Sequence, residues 1–191
     1  MPDEALIKSA LEQLRALGWQ LRWRPPGAAL PAVVVQRYGW IPKDVAWLLR
    51  HVDICAHAQG HAWLIGAEEF LPVDGEGFGW DAWEAMSLDA EGSETRDRVK
   101  RFWDAHLPVA AAVHSGHDVF VVRTQGHDAG MIFHGAGPEF EALSPVASSL
   151  RTFLHELARD MCSGSLRYPL ALLAWSRSTP AMGAAGTEDV E

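Results

Sequence analysis

The hydrophobic period of this chain switches from helical to strand-like within its first 25 residues and returns to helical near residue 150, which restricts the folds open to it. Over residues 3–17, Ile7, Leu11 and Leu14 recur at i, i+4 and i+7, with Leu6, Ala10 and Leu17 widening the stripe and Gly18 as a stop. That spacing predicts an amphipathic helix. Trp19, Leu21 and Trp23 then alternate with polar residues, as in a half-buried strand, before Pro25-Pro26-Gly27 turns the chain. Val33-Val34-Val35 reads as a short β-branched run able to pair nearby. A second helix is expected from Pro42, with Val45, Leu48, Leu49 and Val52 inward, and a strand over Ala62–Ile65.

Residues 71–92, rich in Gly, Asp and Glu, read as a long surface excursion, followed by a short helix over 94–104 with Val99, Phe102 and Trp103 inward. Strands are expected at Val109–Val113, Asp118–Arg123 and Gly130–His134, with turns at Gly116 and Gln125–Asp128. A closing helix spans 145–160, with Pro145 near its start and Val146, Leu150, Phe153, Leu154 and Leu157 on one side. Helices at the N- and C-terminal ends around consecutive strands predict an α+β fold with a central, largely antiparallel β-sheet. Residues 1–173 are expected to form one domain and 174–191 a flexible tail, and no internal repeat is visible.

Charge is distributed unevenly. Formal net charge is −9, and residues 68–97 hold ten acids against one base, Arg96, so this stretch carries the whole imbalance and the remainder is neutral. An acidic chain lacks the basic footprint that phosphate binding demands, so nucleic acid is not expected as a direct partner. The two cysteines, Cys55 and Cys162, match no metal or redox spacing, and the N-terminus is acidic where a secretory signal would be basic. The longest apolar run, Leu170–Trp175, is far shorter than the ~20 residues of a membrane helix. A cytoplasmic location without membrane association is the expectation.

Motifs for catalysis are missing. His57-x3-His61 and His114-x2-His117 have spacings that metal ligands use, but His114 and His117 flank a glycine turn, and no H-E-x-x-H or C-x-x-C is present. His155-Glu156 lacks the second histidine of a zincin. Ser163-Gly164-Ser165 is not a nucleophile elbow, and Gly135-Ala136-Gly137-Pro138 lacks the Lys and Ser/Thr of a phosphate cradle. No catalytic residue, metal site or cofactor is therefore assigned. Of nine tryptophans, Trp19, Trp23, Trp47, Trp63 and Trp103 fall at core spacing. Trp80 and Trp83 lie inside the acidic excursion, where a rigid aromatic suits either a partner pocket or an anchor for the loop itself.

Gly137-Pro138-Glu139-Phe140-Glu141, followed by Val146-Ala147-Ser148-Ser149-Leu150 and Phe153-Leu154, resembles the C-terminal signature of the SUKH superfamily. Supporting pieces occur in order: Ile41-Pro42-Lys43-Asp44, Ala62-Trp63-Leu64, Glu68-Glu69-Phe70, then Leu107-Pro108 before Val113-His114-Ser115. That group includes fungal cell-wall-assembly regulators and many bacterial immunity proteins. The resemblance, over roughly residues 36–158, implies a non-enzymatic binding domain, foremost an immunity protein that neutralises a toxin, often a nuclease. Alternatives from other classes are a regulatory scaffold that recruits cellular partners and, more remotely, a small metal-dependent hydrolase. For a basic toxin domain, the residues expected to meet the partner are Glu68, Glu69, Asp74, Glu76, Trp80, Asp81, Trp83 and Glu84.

Overall fold

The computed structural model describes residues 2–71, 79–90, 95–114 and 116–174. The first helix, α1 (Pro2–Ala16), buries Ile7, Leu11 and Leu14, and leads through Gly18, at φ +95°, into β1 (Gln20–Trp23). Next come α2 (Ala32–Arg37), α3 (Lys43–His51), β2 (Val52–Ala56), β3 (Ala62–Leu64) and a single 3-10 turn at Glu68–Phe70. The chain continues through α4 (Ala82–Ala90), α5 (Arg96–Ala105), β4 (His106–Ala112), β5 (Asp118–Arg123), β6 (Ile132–Ala136) and β7 (Ser144–Ala147). It closes with α6 (Leu150–Ser163) and the short α7 (Ala171–Ala174).

The α+β architecture matches the expectation, and all neighbouring strand pairs are antiparallel in the order β1-β2-β3-β4-β5-β6-β7. One cross-strand row runs Leu21, Cys55, Leu64, Ala110, Phe120, His134, Ser144, each residue the registered partner of the next. Side chains in such a row share a face of the sheet. This face is covered by helices: Phe153 of α6 meets Phe120 at 5.3 Å between ring centroids, and α1 and α3 pack on α6. The opposite face carries α5, with α4 beside it, and the β6–β7 loop. Gly135 lies on that side, where an added Cβ would stand 2.3 Å from the Phe140 carbonyl oxygen, so no larger residue lets the loop approach. β4 is buried along its whole length, as covering on both faces requires. One hydrophobic cluster extends from Ile7 to Leu173.

Four elements differ from the sequence expectation. Val33–Val35 lies in α2, a helix of less than two turns that starts after Pro31, and burial of Val34 and Tyr38 at i, i+4 overrides β-propensity. Val52 opens β2 instead of ending α3, and Pro42 stands one residue before α3. Ser144–Ala147 forms the edge strand β7, so the last helix starts at Leu150, where the Ser149 hydroxyl accepts the Thr152 N–H at 3.1 Å. Ala82–Ala90, inside the expected excursion, is helical; Asp74 and Glu76, and the expected tail beyond 174, lie outside the described residues.

Candidate partner-binding site

The acidic segment is built into the fold more than its composition implies. Ala82, Glu84, Ala85, Met86 and Leu88 are good helix formers, and Glu84 in the first turn of α4 complements the helix dipole. This helix carries Trp83 inward. Its side chain is fully buried, which corrects the expectation that Trp83 meets a partner: the large apolar ring fills the core beneath α4 and has no exposed surface to offer. Trp80 is half-buried, its ring 5.5 Å from that of Phe70.

Arg37, at the end of α2, gathers this segment onto the body. Its Nη1 donates to Glu84 Oε2 at 2.7 Å and its Nε to Asp104 Oδ1 at 2.8 Å, while the guanidinium stands 5.2 Å from the Trp80 ring centroid. Burial alone would weaken the Arg37 charge, but the bonds from Glu84 and Asp104 outweigh it, and the net shift is upward. Glu84 is only 13% exposed and already neutralised, so it is not a free surface charge, another correction to the expected contact set.

Glu68 is likewise matched: Arg22 Nη2 donates to its Oε2 at 2.9 Å and Arg22 Nε bonds Asp53. Glu69 is half-buried, and burial, with the neighbouring charge of Glu68, raises its carboxyl pKa. Asp81, Asp89 and Asp97 are exposed and join the 55% exposed Glu68 as open acids of this segment among the described residues, while α5 also presents exposed Arg96, Arg98, Lys100 and Arg101. The structure thus brings Glu68, Glu69, Trp80, Asp81 and Glu84 to one side of the sheet but leaves only part of that set open to solvent.

Compared with family models, curated proteins and solved structures, the chain matches none of them.

The histidines divide into separate environments. His57 and His61 bracket the β2–β3 turn with ring centroids 4.2 Å apart, and His114, after β4, approaches His61 at 5.7 Å. His117, expected with His114, is exposed on the far side of the turn. His106 is buried against Phe102, and His134 is paired with Asp118 inside the sheet. Among the described residues no group of three or more His, Cys, Asp or Glu is placed to hold a metal ion, and no helix is long and apolar enough to cross a membrane. Burial pushes the Cys55 thiol up to about 12, which suppresses the reactive thiolate. Sequence reasoning missed Arg37 and the Asp118–His134 pair, because an arginine closing a short helix and two polar residues in separate strands carry no spacing signal.

Proposed function

We propose that this chain is a SUKH-type immunity protein that binds a basic toxin domain, such as a nuclease, through the acidic surface around α4. The observation that carries this reading is the concentration of net charge in residues 68–97, with Asp81, Asp89 and Asp97 exposed there and the rest of the chain neutral. A nuclease must present a basic surface to phosphate, and an acidic face both attracts and occludes such a surface. Paired fields of this kind accelerate encounter and fix orientation. Half-buried Trp80, packed at a tilt against Phe70 and beside Arg37, supplies a rigid apolar rim to that face.

The test uses a candidate basic toxin domain, sought first among the products of neighbouring genes. Cells producing that domain are expected to survive when the chain is co-expressed, and the purified pair to associate more slowly as salt shortens the Debye length from roughly 30 Å at 0.01 M to about 10 Å at 0.1 M. Reversal of Asp81, Asp89 and Asp97 to Lys lowers the on-rate, whereas Trp80→Ala raises the off-rate. Full protection and unchanged salt dependence in the triple reversal would show that the toxin binds elsewhere.

A further inference from the structure

The row of residues that crosses the sheet ends in a polar site. His134 on β6 is 4% exposed, and its Nε2 lies 2.8 Å from Asp118 Oδ1 on β5. A carboxylate only accepts, so Nε2 carries the hydrogen, and in the neutral ring Nδ1 is left as a lone-pair acceptor. That nitrogen makes no hydrogen bond to the described residues, and His134 lines a cleft of about 270 Å3. Ser144, the registered partner of His134 on β7, shares this cleft with Glu139, Pro138 and Tyr168. Glu139 is exposed, and Tyr168, 73% exposed, stands edge-to-face with His134 at 5.6 Å.

We propose that this cleft receives a single alkylammonium or guanidinium group, the side chain of one lysine or arginine of the protein partner. The assignment rests on the reading of the chain as a binder of a basic protein and adds a second contact outside the acidic segment. Three properties select that occupant. The lining residues include a histidine with an unused ring nitrogen, a serine and a glutamate but no Lys or Arg, a set that favours a cation over an anion. An exposed tyrosine ring beside these acceptors adds a cation–π surface. The volume suits one side chain and falls below the range of roughly 300–1,000 Å3 usual for small-molecule sites.

The site is held in shape from both sides. Arg167, next to Tyr168, donates Nε to Asp160 Oδ2 at 3.0 Å, and the Gly137 N–H donates to the His117 carbonyl at 2.8 Å. It also adjoins the proposed partner face: Gly137 and Pro138 border both this cleft and a neighbouring depression lined by Met86 of α4. A partner seated on α4 therefore has a short path along the surface to His134.

The test needs no toxin. The full chain is titrated with N-acetyl-arginine methylamide and N-acetyl-lysine methylamide, with the uncharged norleucine analogue as control, while the His134 ring resonances are followed by NMR. Saturable shifts with millimolar affinity are expected from the two cations and not from norleucine. Glu139→Gln and Tyr168→Leu, both at exposed positions, should each weaken binding roughly three- to tenfold while leaving the fold intact. Unmoved His134 resonances at about 10 mM, where a millimolar site is mostly filled, would overturn the cation site, as would an equal response to norleucine. Cation binding that persists when toxin protection fails would instead uphold the cleft and reject the immunity role.

Discussion

The carboxylate of Asp44 joins the N-termini of two helices 107 residues apart: its Oδ1 accepts the Val45 N–H of α3 at 2.9 Å, and its Oδ2 accepts the Arg151 N–H of α6 at 3.2 Å. Both donors belong to first turns that have no intrahelical acceptor, so one side chain satisfies two helix ends. Asp44→Ala should lower stability by about 1–3 kcal/mol, with Asp44→Asn retaining part of it. Urea midpoints check this; an unchanged midpoint in Asp44→Ala would mean that water replaces the carboxylate without loss.

Two aromatic truncations separate core from surface. Phe153 and Trp83 are both fully buried, so Phe153→Ala and Trp83→Ala should each cost about 3–5 kcal/mol. A Trp83→Ala protein with the parental melting temperature but weakened partner binding would restore Trp83 to the interface and contradict its packing.

Arg37 offers a test of the acidic segment as built structure. Its guanidinium serves Glu84 and Asp104 together, so Arg37→Ala strands a partly buried carboxylate and should cost about 2–3 kcal/mol. Arg37→Lys should recover only part of this, because a single ammonium cannot reproduce the fork. Thermal melts with near-ultraviolet circular dichroism of Trp80 and Trp83 report the loss; equal stability of both variants with the parent would rule out Arg37 as the tether.

Acid should destabilise the protein through His106. Desolvation lowers its pKa to about 4, the hydrogen bond to the Phe102 carbonyl opposes the shift, and the charge of Arg123 adds to it. Arg123 Nε donates to His106 Nε2 at 3.1 Å, a bond that requires the neutral ring. The unfolded chain binds this proton near pH 6.5 and the folded chain only near 4, so stability is complete above 6.5 and falls as pH drops between these values. The loss is on the order of 3 kcal/mol at pH 4, and His57, also lowered by burial, adds in the same direction. Unfolding free energies between pH 7 and 4 check the sign; a flat profile would show that His106 is protonated in the native protein.

The legible parts of the fold are those with long, clean periods. Ile7, Leu11 and Leu14 announce α1, and Asp118–Arg123 reads as the strand it is, because burial repeats along each at the period of its backbone. β2 is hidden because His51 passes into Val52 with no turn residue between helix and strand. β7 is hidden because it is four residues long and contains proline, which suits an edge strand and mimics a helix start. In the candidate site, charge density is visible in the sequence, but the arginines that consume it are not. Arg22 and Arg37 reach Glu68 and Glu84 across 46 and 47 residues, a pairing that only the folded sheet creates.

Sheet order that follows chain order also divides the molecule's assembly. β2 to β3 and β4 to β7 can each zip up from pairings between successive strands with short connections, while β1 joins β2 over the α2–α3 stretch. The β3–β4 ladder, the longest closure between neighbouring strands, spans residues 65–105 and so contains the whole acidic segment. The proposed partner face is therefore also the tether between the strands on either side of it, and mutual repulsion among its acids should oppose their docking until Arg22 and Arg37 are engaged. Refolding should accelerate with moderate salt even as association with a basic partner slows, giving opposite ionic-strength dependences for the birth of the fold and for its use.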